Sequence, residues 1–201
     1  MAQVRKEEVR NRILDSALVL FEEKGYLGTT LNAIAKHSNT SIGSIYVYFN
    51  SKVELFFELY GPWLKKQLVA LHRKSSRVKD PAKRLERIIL GLWYDIPVAR
   101  NQFTNSFIQA LSSAKPEEFN SALFVWCTEK LKAMIEPTIP PERAALLVGH
   151  TVTDILFMAF DGYAINYKFG MSKRHAQQSA RVAALLLRGD EIEEIADLTF
   201  K

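Results

Sequence analysis

One cysteine, Cys127, stands in a chain of 201 residues. A lone thiol excludes an internal disulfide and any metal site built from several thiolates. It sits beside Trp126 in a helix-like run, where a buried, inert thiol is expected rather than a nucleophile. Long apolar runs are missing too. Ile155-Leu156-Phe157-Met158-Ala159-Phe160 falls far short of the ~18 residues of a membrane span. The first dozen residues are mixed in charge and lack an apolar core, so no secretory signal and no membrane partner are expected, and a cytoplasmic location is. Strand-like alternation, internal repeats and low-complexity segments are absent. There is no Gly-x-Ser-x-Gly elbow, no His-Glu-x-x-His motif and no phosphate-binding loop, so the chain reads as no enzyme, with no cofactor and no metal.

What remains is an ordinary globular composition, 48% hydrophobic and 24% charged, which excludes a chain disordered throughout. The net charge is +5 and uneven: +1 over residues 1–50, +6 over 51–90 and −2 over 91–201. A localised basic excess suits an anionic partner such as DNA, although a run of lysines is as readily a solvated helix face.

Apolar residues recur at helical spacing throughout, so the fold class is all-α. Ile13, Leu14, Ala17, Leu18 and Phe21 form one stripe, and Gly25 stops it. Thr29 and Thr30 offer cap hydroxyls to a short helix over 31–38. Asn39-Thr40-Ser41 reads as a tight turn, with a second short helix over 42–49. Asn50 or Ser51 caps a helix over 51–74, with Glu54 three residues after Ser51 closing a capping box, and a kink or break is expected at Gly61-Pro62. Asp80-Pro81 opens a helix reaching Asp95, and Pro97 separates it from one over 98–111. Lys115-Pro116 opens another that ends before Pro137. A long helix is predicted over 142–169 and a last one over 172–188, and the acidic stretch 190–201 reads as a short helix or tail.

The pair of short helices meets the mechanical needs of a helix-turn-helix. Leu31, Ile34 and Ala35 face inward from the first, and Ile45 and Phe49 from the second. Ala35 is small enough for a close crossing. Asn39 stands where the chain reverses and tolerates the left-handed conformation. Gly43 leaves room for a DNA backbone, and Ser44, Tyr46, Val47 and Tyr48 point outward. Lys52 begins the next helix, where an ammonium and free amides together suit a phosphate.

The string Ser41-Ile42-Gly43-Ser44-Ile45-Tyr46-Val47-Tyr48-Phe49-Asn50-Ser51-Lys52-Val53-Glu54-Leu55, preceded by Thr29-Thr30 and Ile34-Ala35, resembles the DNA-binding domain of TetR-family transcriptional regulators. The likeness covers residues 8–56, about a quarter of the chain. It implies a phosphate contact for Thr30, DNA-facing positions for Ile42, Gly43, Ser44, Tyr46, Val47 and Tyr48, and a backbone contact for Lys52. The family's turn usually reads Ala-Gly-Val, whereas this one reads Ser38-Asn39-Thr40. Ile42 also takes the place of a residue that is often polar, which shifts weight to apolar contact with thymine methyls.

The resemblance further implies a three-helix DNA-binding domain, drawn here as 1–50, and a helical bundle over 51–201 that binds a small-molecule effector and dimerises. The homodimer is expected to form through the helices over 142–169 and 172–188, and two copies would read a palindrome in double-stranded DNA. Ligand pockets are mostly apolar with a few fixed polar groups. Trp93, Phe103, Phe107, Trp126 and Phe157, with Asp154 and Asp161, are the candidate lining. Two other readings stay open at this point: a small-molecule-binding helical protein with a degenerate DNA-binding head, and a helical enzyme built around His150 and Asp154.

Overall fold

The computed structural model describes residues 2–118 and 121–190. Ten α-helices and no strand occur among the described residues. Only Asp190 of the acidic stretch 190–201 is described; the predicted helix or tail there lies outside these residues. The chain divides into two compact units, Met1–Leu64 with Arg100–Ser121, and Lys65–Ala99 with Ala122–Lys201. These bounds differ from a cut at residue 50, because a later helix returns to the first unit.

In the first unit, α1 (Ala2–Gly28) is interrupted at Gly25, whose φ of 71° only glycine adopts at little cost. A Cβ there would also lie 2.7 Å from Gln102 Nε2. Next come α2 (Leu31–His37), α3 (Ile42–Tyr48) and the start of α4 (Lys52–Ser75). The returning helix, α7 (Asn101–Ser113), lies along α1. Ser106 accepts the Tyr26 backbone N–H at 3.0 Å, and Arg100 pairs with Glu22 at 2.7 Å. An aromatic core joins these elements. Tyr60 stacks on Phe107 with ring centres 4.2 Å apart, and Phe103 touches Phe56, Tyr60 and Trp63.

Of the kink or break expected at Gly61-Pro62, the break does not occur: α4 runs on through Pro62. Proline lacks the N–H that would reach the carbonyl one turn back, that of Glu58, and its ring is exposed to solvent. The helix tolerates that single loss because it is packed on both sides of the proline: Phe56, Tyr60, Leu64 and Leu68 are buried.

In the second unit, α5 (Pro81–Leu90) starts at Asp80, whose carboxylate accepts the Lys83 N–H at 2.8 Å. A π-helical turn, Gly91–Asp95, follows and leads into α6 (Ile96–Ala99). The Ile96 N–H donates to the Gly91 carbonyl, five residues back. This wider turn accommodates Pro97 inside the helical run, so the chain breaks at Arg100 instead of at the proline.

After α8 (Ser121–Ile135), the long helix expected over 142–169 is two pieces. A 3₁₀ segment, Pro141–Leu147, and α9 (Thr151–Asn166) with its 3₁₀ end at Phe169 are bent 68° from each other. Gly149, with φ of 72°, makes the corner. The last helix, α10 (Lys173–Arg188), matches its expected bounds within a residue; Ser172 caps it and Gly189 ends it in the left-handed conformation. Among the described residues, no single helix is long and apolar enough to cross a membrane.

Candidate nucleic-acid interface

Side chains three residues upstream set each helix start in the head. The Thr30 hydroxyl oxygen accepts the Ala33 N–H at 3.1 Å, and that of Ser41 accepts the Ser44 N–H at 3.0 Å. Ser51 accepts the Glu54 N–H at 3.1 Å, one half of a capping box, and the Glu54 carboxylate accepts the backbone N–H of Asn50, the residue before the cap, at 2.6 Å. A hydroxyl that accepts in this way keeps its proton. Thr30, exposed, can therefore hold α2 and still donate to a phosphate.

The turn is a Schellman closure. Thr40 N–H donates to Ala35 O at 2.9 Å and Asn39 N–H to Lys36 O at 3.3 Å, with Asn39 left-handed at φ 52°. The unusual Ser38 and Thr40 answer each other. Their hydroxyls are 2.8 Å apart, while Ser38 also reaches the Ile34 carbonyl at 2.8 Å. The polar residue at 40 thus has a partner made for it, and the turn keeps its shape.

Ile45 and Phe49 are buried, which turns the opposite side of α3 outward. Gly43 is exposed, Ser44 and Tyr48 are half-buried, and Ile42, Tyr46 and Val47 are 39%, 53% and 73% exposed. All six DNA-facing candidates on α3 lie on this helix beside Thr30.

Lys52, at the start of α4, reaches back to the end of α1. Its ammonium donates to Tyr26 O at 2.9 Å and Thr29 O at 3.0 Å, and lies 3.9 Å from the centre of the Tyr26 ring. It closes the carbonyl end of α1, and desolvation lowers its pKa. Two of its three N–H donors are turned inward.

Sequence reasoning missed Thr29, which is fully buried with its hydroxyl within 2.8 Å of Gly25 O and 3.0 Å of Leu20 O. It also missed Arg10, which pairs with Glu58 and lies over the Phe49 ring. The doubled threonine was visible as a cap; its inward member was not distinguished from its outward one.

The candidate pocket residues are distributed over both units. Phe103 and Phe107 belong to the first unit's core, 1% and 3% exposed, where they complete the aromatic stack. The others lie in the second unit. Trp93 donates its indole N–H to Leu156 O at 2.9 Å and stacks on Tyr163. It also lines a cleft of about 340 Å³ with His175, Ser179, Val182 and Leu186. Trp126 is half-buried under Lys65, and Phe157 is half-buried against Phe160. Asp154 is exposed. Burial raises the Asp161 carboxyl to a pKa of about 6. His150 meets Glu129 at 3.5 Å, and burial pushes the Cys127 thiol to about 12. No group of three or more His, Cys, Asp or Glu among the described residues is placed to hold a metal ion.

A capped α2, a Schellman turn and a short α3 with its free side outward define a helix-turn-helix protein. Residues 13–59 match the bacterial regulatory proteins of the tetR family. A probable acrEF/envCD operon repressor of Escherichia coli K12 is 34% identical over 110 residues, 51% of this chain and 49% of that protein. The Staphylococcus aureus (strain Newman) IcaR, a negative transcriptional regulator of the biofilm operon icaADBC, is 29% identical over 119 residues, 58% of this chain and 60% of its own. The aligned region thus spans about half to three-fifths of these relatives.

Among solved structures, the TetR-family regulator PfmR from Thermus thermophilus is 25% identical with a TM-score of 0.54, covering 89% of this chain and 95% of its own. FadR from Bacillus subtilis, solved with stearoyl-CoA, shares the fold at 14% identity and a TM-score of 0.61, covering 90% and 98%. Residues 13–59 thus carry the DNA-binding head of the tetR family, and the likeness to PfmR extends over most of the chain.

Proposed function

We propose that this protein is a dimeric, sequence-specific DNA-binding repressor that a small-molecule effector releases from a palindromic operator. The observation that carries the reading is Gly43. Glycine in a helix costs about 1 kcal/mol relative to alanine. Here φ is not positive, and a Cβ would meet nothing closer than Ser41 Oγ at 3.7 Å. The protein's own packing therefore does not require a glycine. A surface approaching α3 from outside does, and a DNA groove is such a surface.

The dimer reading rests on α9 and α10, which leave Ile155, Met158, Ile165 and Leu186 exposed at 58%, 71%, 42% and 57%. Apolar exposure of this kind marks a surface that is covered in the working assembly. One short recognition helix makes few base contacts. Two copies about 34 Å apart, or a multiple of that, read both halves of a palindrome. The repressor reading draws on the two curated relatives, each described as a repressor or negative regulator. The effector reading draws on FadR, solved with an acyl-CoA. Release is a population shift: the effector binds a state with misplaced recognition helices more tightly than the DNA-bound state.

Selection of binding sites from random duplex DNA by the ligand-free protein, at ~100 mM salt, tests this. A palindrome is the expected product. Folded protein that enriches no sequence would overturn the reading.

A further inference from the structure

Resting on that reading, we infer that α3 recognises its half-site through the C5-methyl groups of thymine, and that 5-methylcytosine serves in thymine's place. In the major groove, guanine is read by Arg or Lys, adenine by Asn or Gln, and cytosine by Asp or Glu. Apolar side chains read the thymine methyl. The seven residues of α3 include none of those six polar types. Its outward surface is Ile42, Tyr46 and Val47, with Gly43 between them. The hydroxyl of Ser44 faces that of Ser41 at 2.9 Å, and Ser41 also caps the helix, so one of the pair's two hydroxyl protons is spent within the head.

Val47 carries the argument furthest. A β-branched residue is a poor helix former. At 73% exposure it contributes little burial to the fold. On helical spacing it lies one turn beyond Gly43 on the same side, where the glycine lets the groove come close. A branched aliphatic group next to a gap left for an approaching duplex fits the methyl that projects from a pyrimidine's C5. Isoleucine at position 42 extends the same surface. The tyrosine hydroxyls both donate and accept, so they tolerate the exchange of thymine O4 for the amino group of 5-methylcytosine. Discrimination then falls on the methyl itself.

The test starts from the duplex that the selection yields. Replacing thymine by deoxyuridine, one position at a time, removes only the methyl. At the contacted positions affinity falls about three- to fourfold each, the worth of one buried methyl group. Replacing a contacted T·A pair by unmethylated C·G weakens binding further, and methylating that cytosine restores it. Val47→Ala keeps α3 helical and removes the branch. It lowers affinity for the thymine duplex and erases the difference between thymine and uracil at one position. If every uracil duplex binds as tightly as its thymine parent, the methyl proposal fails while the repressor reading stands. If Val47→Ala leaves the thymine preference intact, it also fails. If selection enriches no sequence, both fail together.

Discussion

In the unit that contains the helix-turn-helix, Thr30, Ser41 and Ser51 each bond a backbone N–H three residues away. In the other unit, Trp93 reaches a carbonyl 63 residues on, Arg143 reaches one 43 residues on at Leu186, and Arg188 reaches back 50 residues to Thr138. The first arrangement is written in short strings of sequence, and the second only in the folded chain. The head therefore has a motif, whereas the body has a fold but no motif. A body held by long-range contacts can exchange side chains in its interior while keeping its helices in place. A head held by caps at fixed offsets cannot.

The largest expected effect falls in the aromatic core of the first unit. Phe103→Ala deletes a ring that touches Phe56, Tyr60 and Trp63, and costs about 3–5 kcal/mol of stability by chemical denaturation. A loss under about 1 kcal/mol would return Phe103 to the role of a pocket lining.

Gly91→Ala probes the body's long-range packing. Its Cβ would fall 2.3 Å from Leu71 Cδ1, so the cost is about 1–3 kcal/mol. Leu71→Ala in the same chain relieves the clash, and the double variant loses less than the sum of the two single ones. Additive losses would show that the two helices do not meet there.

Gly43→Ala sharpens the contrast between a residue kept for the fold and one kept for a partner. It raises the head's stability by up to ~1 kcal/mol and weakens binding to the selected operator. Unchanged operator affinity would remove the observation on which the repressor reading rests.

The last effect is electrostatic and is read as a pH dependence. Burial holds the Asp161 pKa near 6 in the folded chain, against about 4 when unfolded. An acid with a raised folded pKa stabilises below its unfolded pKa. That stability is lost as pH rises from about 4 through 6, because the unfolded chain releases the proton first. Asp161→Asn removes this slope, so the variant's thermal midpoint exceeds the parent's at pH 7.5 and converges with it at pH 4. A difference that does not change with pH would place Asp161 in solvent.

The same contrast explains how far the sequence could be read. The two short helices, the left-handed Asn39 and the cap at Ser51 were legible because each depends on residues a few positions apart. So was α10, bounded by Ser172 and Gly189. The corner at Gly149 was not, because Val148, Val152, Ile155 and Ala159 keep helical spacing across or beyond it and hide the turn. Nor was the helix through Pro62, where packing on both sides outweighs one missing hydrogen bond. Phe103 and Phe107 had the chemistry of a pocket lining. Only the return of α7 against α1 shows that they serve the head's core. For Lys52 the motif located the residue, but the carbonyls of Tyr26 and Thr29 decide where its charge points.

The hydroxyl pair at Ser38 and Thr40 has an evolutionary consequence. Replacing Thr40 alone leaves the Ser38 hydroxyl its bonds to the Ile34 and Ala35 carbonyls, whereas replacing Ser38 alone takes away the hydroxyl that the half-buried Thr40 meets in the turn. The two positions are therefore coupled in sequence drift. A lineage passes from the polar to the apolar version of this turn by a paired change or by changing position 40 first. Chains carrying a hydroxyl residue at 40 should then carry one at 38 as well, while an aliphatic residue at 40 leaves 38 free to be either.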